Sequence, residues 1–155
     1  MKGIISAKQL PTLRKRLKGR IVLGTGCFDI LHVGHLYFLH EAANQGDVLV
    51  VGLNSDRSIK EIKGSKRPIV TEQERATLIS EFKCVDFVFI YDNISAIDEI
   101  RSLKPDVFVI GEGSLTDYQD EVDATRDVGA RLHIIKRMST PSTTSIVAGI
   151  QNSSK

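Results

Sequence analysis

The sequence predicts an α/β fold in which a doubly wound sheet of five parallel strands is covered by helices on both faces. Five short runs are apolar throughout, as expected of strands that are buried on both faces. Segments with helical features separate each run from the next, which is the order of a parallel sheet. The 155 residues suffice for one domain around a single core.

The first element is an amphipathic segment, predicted as one helix over residues 4–18. Ile5, Leu10, Leu13 and Leu17 can share one face, while lysines and arginines fill the other. Such a helix is more often packed on the domain edge than bound to a membrane or partner through its basic face. The predicted divisions are a helical arm at 1–20, one domain at 21–150 and a tail at 151–155.

The next elements alternate between strand and helix. An apolar run at 21–24 predicts the first strand, and a helix follows at 34–45 with Gly46 as its expected C-cap. The continuous apolar run at 48–53 predicts the second strand. Residues 54–70 are polar and carry five basic side chains, which favours a loop.

The second half of the chain repeats this alternation. Thr71-Glu72-Gln73-Glu74 has the pattern of a capping box, which predicts a helix from there to about residue 82. The strand at 85–91 is rich in Val, Phe and Ile. The remaining predictions are a helix at 95–103 closed by Pro105, a strand at 107–110, a helix at 117–128 with Gly129 as its C-cap, a strand at 132–135 and a helix at 142–150.

This order places the functional site at one edge of the sheet. In doubly wound sheets, ligands bind beyond the carboxyl ends of the strands. The loops after residues 24, 53, 91, 110 and 135 should therefore meet at that edge.

Composition and charge exclude several classes of function. The net charge of +2 is too balanced for binding driven by the backbone of a nucleic acid. No apolar run is long enough to span a membrane, and the first 20 residues lack the features of a signal peptide. Cys27 and Cys84 read as free thiols in a reducing cytoplasm. None of the four histidines has the companion thiols of a zinc site.

The segment 24–35, GTGCFDILHVGH, holds the strongest chemical signal. His32 and His35 share one face at the start of a predicted helix, where free backbone N–H groups favour an anion. Gly34 allows close backbone approach, and Asp29 is placed to orient a donor or a metal. A lone histidine here would more often be an exposed or capping residue, but the pair indicates a phosphate site. The dinucleotide fingerprint is absent because Asp29 replaces its third glycine, and no P-loop pattern occurs.

Several motifs in this order resemble the cytidylyltransferase-like branch of the nucleotidylyltransferase superfamily. The resemblance spans about 21–150. Within the branch, the run at 51–75 is most similar to the D-glycero-β-D-manno-heptose 1-phosphate adenylyltransferase (ADP-heptose synthase) family, with glycerol-3-phosphate cytidylyltransferases and archaeal FMN adenylyltransferases as near relatives. The segments that carry the resemblance are 26–29 (GCFD), 32–35 (HVGH), 54–56 (NSD), 63–68 (KGSKRP), 74–75 (ER) and Arg137 followed by 142–144 (STT).

The resemblance implies a Rossmann-like nucleotidylyltransferase fold and transfer of a nucleoside monophosphate from a nucleoside triphosphate to a small phosphorylated acceptor. The implied reaction joins ATP and heptose 1-phosphate to give ADP-heptose for lipopolysaccharide. The alternative is transfer from CTP to glycerol 3-phosphate or a similar alcohol phosphate. An acceptor phosphate is already an anion, so no general base is needed, and Cys27 is interpreted as a packing residue rather than a nucleophile.

The resemblance also implies roles for individual residues. The catalytic set would be His32 and His35 on the triphosphate and transition state, Lys63 on the α-phosphate or acceptor phosphate, and Arg137 on the β- and γ-phosphates. The nucleotide-binding set would be Gly26, Phe28, Asp29, Gly34, Arg75, Gly111, Glu112, Ser142, Thr143 and Thr144. The acceptor-binding set would be Asp56 and Lys63.

Alternative roles remain for three parts of this set. Lys63 could be an ordinary solvated lysine. Arg75 could form a surface ion pair with Glu72 or Asp86. The hydroxyl residues 142–144 could act as a helix N-cap, which is compatible with phosphate binding.

The resemblance further implies Mg²⁺ held by the nucleotide rather than by a carboxylate cage, and a homodimer with no nucleic-acid or membrane partner. The segment 111–118, GEGSLTDY, departs from the heptose family, in which an acid and an aromatic residue follow the glycine sooner. Here Asp117 and Tyr118 or Glu112 could supply those groups. A nucleotide-binding regulatory module without turnover is the alternative outside enzymes, and the intact His32, His35, Lys63 and Arg137 disfavour it.

Overall fold

The computed structural model of the chain describes residues 3–112, 119–139 and 142–153. Its strands are β1 (Gly3–Ile4), β2 (Ile21–Gly26), β3 (Val48–Asn54), β4 (Phe87–Tyr91), β5 (Val107–Gly111) and β6 (Arg131–Ile135). Its α-helices are α1 (Leu10–Arg16), α2 (Val33–Ala43), α3 (Asp56–Lys63), α4 (Glu72–Ser80), α5 (Ile97–Leu103), α6 (Gln119–Asp127) and α7 (Thr143–Ser153).

All six strands of the described residues form one parallel sheet in the order β1-β4-β3-β2-β5-β6. The chain runs outward from β2 through β3 to β4, and then crosses to β5 and β6 on the other side. Gly24 of β2 therefore lies between Val51 of β3 and Val109 of β5. The reversal of strand order beside β2 opens a crevice at the carboxyl edge of the sheet.

The sheet separates two apolar layers. Leu23 of β2 and Phe108 of β5 pack in the layer that includes residues of α1, α5 and α6. Val22 of β2 and Val109 of β5 face the opposite layer, which includes residues of α2 and α4. The predicted α/β class is confirmed, because neighbouring residues of each strand enter opposite cores.

The amino-terminal segment differs from its prediction. Gly3–Ile4 is a sixth strand, paired in register with Phe87 and Val88 of β4, where a helix was expected to begin at residue 4. The Ser6 side chain accepts a hydrogen bond from the Lys8 backbone N–H and caps a short 3₁₀ turn. The helix proper, α1, begins only at Leu10. The predicted arm thus contributes a strand and buried leucines to the same core.

Two further local predictions are wrong. Residues 54–70 contain helix α3, which was missed because six of its eight residues are polar. The Ser55 side chain caps it by accepting a hydrogen bond from the Ser58 N–H, and Ile59 is fully buried. Gly46 is not the C-cap of α2, since the helix ends at Ala43 and Asn44 is its C-cap. A Cβ atom on Gly46 would instead lie 2.6 Å from the Arg20 carbonyl oxygen, so glycine is required there by close packing.

The other boundaries follow the predictions within a few residues. The Thr71–Glu74 capping box opens α4 as expected. Gly129 follows α6 with a φ of +75°, the left-handed conformation expected of a C-cap glycine. No helix among the described residues has the length and apolar character needed to cross a membrane.

Candidate active site

A cavity of about 400 Å³ opens at the carboxyl edge of the sheet, beside the ends of β2, β5 and β6. The predicted location of the site at this edge agrees with the position of the cavity. Twelve of the residues predicted from the sequence line it: Gly26, Phe28, His32, Gly34, His35, Lys63, Gly111, Glu112, Arg137, Ser142, Thr143 and Thr144.

The loop between β2 and α2 is shaped by Phe28. Its φ of +48° is unusual for a residue with a side chain and costs on the order of 1–3 kcal/mol. Burial of the ring, which is only 4% exposed, offsets this cost. The ring lies 5.2 Å from that of His35 and 6.1 Å from that of Phe38. A Cβ atom on Gly26 would come within 3.0 Å of the same ring, so the loop admits little bulk there.

The two histidines stack at the start of α2. Their ring centroids are 3.9 Å apart and their planes are inclined by 32°. Nδ1 of His32 accepts a hydrogen bond from the Gly34 N–H at 3.1 Å, so His32 is also the N-cap of the helix. Nδ1 of His35 is buried and has no hydrogen-bond partner among the described residues.

The contact to Gly34 assigns the proton of His32. A neutral imidazole carries one N–H, and the nitrogen that accepts a hydrogen bond cannot carry it. Nε2 is therefore the protonated nitrogen of His32. Nδ1 of His35 has no partner among the described residues, so the Nε2–H form of that ring is the one that could donate to a ligand. Both rings can then donate a hydrogen bond toward the cavity that they line.

Both histidines are neutral at physiological pH. Burial lowers the pKa of His35 from 6.5 to about 4. Repulsion from the protonated form of His32 and from Lys63 acts in the same direction, against an opposing effect of Asp29. Burial also lowers the pKa of His32, with a further contribution from Arg137. The site can therefore present neutral N–H donors without the repulsion between two adjacent imidazolium rings.

Two of the predicted cationic residues line the same cavity from distant parts of the chain. Lys63 is the last residue of α3, and Arg137 follows β6. Neither forms an ion pair with any described residue. The backbone N–H of Arg137 donates to Glu112 Oε2 at 3.2 Å, which fixes the chain beside the end of β5. Glu112 is the one carboxylate among the described lining residues, so the cavity is predominantly positive.

The start of α7 closes another side of the cavity. The hydroxyl of Ser142 accepts a hydrogen bond from the Ser145 N–H, and this caps the helix. The Thr143 hydroxyl donates to the Ile30 carbonyl at 3.2 Å, which ties α7 to the histidine loop. The exposed Thr144 also lines the cavity. The positive end of this helix dipole adds to the attraction for an anion.

Three of the predicted binding residues lie outside the cavity lining. Arg75, expected to bind phosphate or to form a surface ion pair with Glu72 or Asp86, is fully buried. Its guanidinium donates to the carbonyls of Cys27, Asn54 and Val70 and to Asp56 Oδ1. Asp56 Oδ1 lies 2.8 Å from Nη2 of Arg75, and the Asp56 side chain is 29% exposed.

Asp29, predicted as a nucleotide contact, is the third. It is 2% exposed and accepts hydrogen bonds from the backbone of Ile69 and Val70. These three predicted residues hold the loops of the site together from behind.

Sequence reasoning missed part of the cavity wall. Tyr37 and Phe38 of α2 and Lys136 beside Arg137 also line the cavity. Phe38 lies three residues after His35, so helical spacing from the histidine could have indicated it. Cys27 lies in the wall too, with Sγ 3.8 Å from Asn54 Oδ1. Residues 117 and 118, predicted to lie near the base or the acceptor, are outside the described residues.

The described residues hold no group of three or more His, Cys, Asp or Glu side chains that could bind a metal ion. Glu112 by itself offers too few oxygens for Mg²⁺, which prefers six oxygen ligands. This donor set fits an ion that arrives already bound to phosphates.

Comparison with known proteins shows similarity along almost the whole chain. The family model described as cytidylyltransferase-like matches residues 23–149. The chain is 40% identical over 151 residues to the bifunctional protein HldE of Campylobacter jejuni subsp. doylei, and 41% identical over 151 residues to that of Helicobacter hepaticus. Each alignment covers 97% of this chain, but only 32% and 30% of these relatives, so the chain spans about a third of their length.

Two solved structures are also similar. A lipopolysaccharide core biosynthesis protein from Thermoplasma volcanium superposes with a TM-score of 0.66 and 31% identity, covering 80% of this chain and all of that one. A pantoate-β-alanine ligase from Francisella tularensis superposes with a TM-score of 0.69, covering 97% of this chain and 77% of that one. Its identity of 14% shows a shared fold alone.

Proposed function

The chain belongs to the cytidylyltransferase-like family and is a nucleotidyltransferase, and from this premise we propose that it transfers the adenylyl group of ATP to D-glycero-β-D-manno-heptose 1-phosphate. The products are ADP-heptose and pyrophosphate. The observation that carries the chemistry is the convergence on one cavity of two neutral histidines, a helix N-terminus, and Lys63 and Arg137, which form no ion pair with a described residue. The similarity to the bifunctional protein HldE and to a lipopolysaccharide core biosynthesis protein supports heptose 1-phosphate as the acceptor.

The reaction needs donors rather than a nucleophile from the protein. A phosphate oxygen of the sugar phosphate attacks the α-phosphorus of ATP, and the bond from that phosphorus to the bridging oxygen of pyrophosphate breaks. Negative charge then grows on the equatorial and leaving oxygens. Pre-oriented N–H donors stabilise this charge, and each such donor contributes about 10²–10³-fold to the rate.

The arrangement suggests a role for each donor. Nε2 of His32 and His35 donates to the triphosphate, where the stacked rings offer two adjacent hydrogen bonds. Lys63 approaches the α-phosphate or the acceptor phosphate from the end of α3. Arg137 and the start of α7, with Ser142 and Thr144, bind the β- and γ-phosphates.

Mg²⁺ enters this proposal as part of the nucleotide. When bound, the ion neutralises phosphate charge and assists departure of pyrophosphate. Glu112 is the one described carboxylate in the cavity, so it would hold the ion's water shell or the ribose rather than form a cage.

The decisive experiment measures pyrophosphate release with Mg²⁺ for ATP, CTP, GTP and UTP, each paired with heptose 1-phosphate, glycerol 3-phosphate and FMN. Release with ATP and heptose 1-phosphate, and its loss in a folded His35→Ala variant, is the expected result. The family description favours CTP as the second candidate, and release only with CTP and glycerol 3-phosphate would move the assignment there. Binding of nucleotides without any release would contradict an enzymatic role for these substrates.

A further inference from the structure

A buried ion pair joins the histidine loop to the segment that follows Lys63. Oδ2 of Asp29 lies 2.8 Å from Nε of Arg67, and the two side chains are 1% and 12% exposed. Oδ1 of the same carboxylate accepts hydrogen bonds from the backbone N–H groups of Ile69 and Val70, both at 2.9 Å. One carboxylate therefore contacts three groups of the segment 67–70: it accepts two hydrogen bonds through Oδ1, and its Oδ2 attracts Arg67 by charge, since Oδ2 and Nε of Arg67 are not in hydrogen-bond geometry.

Neither member of this pair reaches the cavity, yet both are next to residues that do. Asp29 lies three residues before His32 and influences His35 electrostatically. Arg67 lies four residues after Lys63, and only the exposed residues 64–66 intervene. A contact that fixes the position of Arg67 therefore also restricts the position of Lys63 at the end of α3.

The other end of this segment is anchored as well. Nη2 of Arg75 binds Asp56 Oδ1 at the start of α3, and Nε of Arg75 binds the Val70 carbonyl at 3.1 Å. Residues 64–66 are thus a short exposed link between a helix fixed at its start and a segment fixed to the histidine loop. Gly64, with a φ of +90°, supplies the turn between them.

We propose that the Asp29–Arg67 pair is a positioning device that sets Lys63 against the two histidines, and that neither residue binds substrate. This inference rests on the proposed nucleotidyl transfer. Forming a buried ion pair contributes little net stability, because desolvation consumes much of the attraction, whereas removing one partner alone costs about 3–5 kcal/mol. In the intact protein the effect of the pair is geometric: it restricts the position of a cation that acts in the transition state, where a shift of about 1 Å can lower the rate about 10²-fold.

The test is a double-mutant cycle between Arg67→Met and Lys63→Ala. In the otherwise unchanged protein, we expect Arg67→Met to lower kcat by about 10–100-fold with the KM for the nucleotide changed by less than about three-fold. In the Lys63→Ala background, the same change should lower kcat by less than about two-fold, because the residue it positions is gone. An equal loss in both backgrounds would overturn the proposal.

Two further variants separate positioning from folding. In Asp29→Asn, the side-chain oxygen can still accept hydrogen bonds from the N–H groups of Ile69 and Val70, but the charge that faces Arg67 is removed. Arg67→Lys keeps the positive charge at residue 67 and should recover part of the kcat that Arg67→Met loses. Arg57→Met is the matched control: this exposed arginine of α3 pairs with Glu61 and should leave kcat unchanged.

Amide hydrogen exchange tests the same inference without turnover. Asp29→Asn and Arg67→Met should accelerate exchange at residues 64–70 and leave the exchange of β2 and β3 unchanged. If the intact protein turned over no substrate, the proposed function would fail while this measurement still decided the positioning role. Unchanged exchange at 64–70 in both variants would refute the pair as an anchor.

Discussion

The cationic residues of the cavity and the buried arginine behind it meet opposite surroundings. Lys63 and Arg137 are exposed to the cavity and form no ion pair with a described residue. Arg75 is fully buried and donates to three carbonyls and one carboxylate. All three residues were predicted from the same kind of motif to bind phosphate.

The difference shows that the protein groups around a cationic side chain decide its role. A cation with many protein partners stabilises the structure, and a cation without them can bind a ligand. A guanidinium whose donors are satisfied within the protein has none left for a ligand, and it joins the segments that supply its partners. A cation that lacks a protein anion keeps its charge available and raises the positive potential of the cavity. Substitutions on the two sides should therefore change different quantities.

The largest expected effect is on stability, at Arg75. Arg75→Met leaves the carbonyls of Cys27, Asn54 and Val70 without their donor and removes the partner of Asp56. We expect the free energy of unfolding to fall by about 3–5 kcal/mol, the usual cost of breaking a buried pair. Urea unfolding monitored by circular dichroism measures this. A loss below about 1 kcal/mol would mean that Arg75 does not hold these loops together.

The next effect is on catalysis, at His35. His35→Ala removes one N–H donor from the cavity, and we expect kcat to fall about 10²–10³-fold. Far-ultraviolet circular dichroism should show an unchanged fold. Steady-state pyrophosphate release gives kcat and KM separately, and a rise in KM alone would indicate ground-state binding instead of transition-state stabilisation.

The same residue should make stability depend on pH. The folded pKa of His35, about 4, lies below its ordinary value of 6.5, so the unfolded chain takes up a proton between these values and the folded chain does not. Stability attributable to His35 is therefore complete above pH 6.5 and is lost as the pH falls toward 4. The loss amounts to about 3 kcal/mol at most. Unfolding curves from pH 7 to pH 4 should show a steeper decline for the unchanged protein than for His35→Gln, and parallel declines would contradict a neutral buried ring.

A smaller catalytic effect is expected at Arg137. Arg137→Ala removes a cation that lacks a described protein partner, so stability should change by less than about 0.5 kcal/mol. The KM for the nucleotide should rise by about 10–100-fold, the loss of a charged hydrogen bond of about 1.5–3 kcal/mol. Arg101→Ala is the control, since this exposed arginine pairs with Asp127 away from the lining residues. If Arg101→Ala raised the KM for the nucleotide as much as Arg137→Ala, the distinction between the cavity cations and the other charged residues would be refuted.

Much of the fold was accessible from local patterns. The apolar runs of β2 to β6 and the capping box before α4 each specify an element within a few neighbouring residues, and the structure has them. Helix α3 was missed because only two of its eight residues are apolar, Ile59 and Ile62, and Ile62 is 45% exposed. Only packing against β3 shows which face turns inward. Strand β1 is two residues long and is defined by its pairing with β4, so no local sequence pattern predicts it.

The candidate site divides in the same way. By itself, the sequence determined that His32 and His35 share the start of a helix beyond the first long strand, because three-residue spacing and strand order are local properties. Only the tertiary structure decided which groups Asp29, Asp56 and Arg75 contact. Apart from Val70, which is five residues from Arg75, the hydrogen-bond partners of these side chains lie between 19 and 48 residues away along the chain. A charged side chain becomes a ligand contact or a structural tie according to which distant backbone groups fold against it.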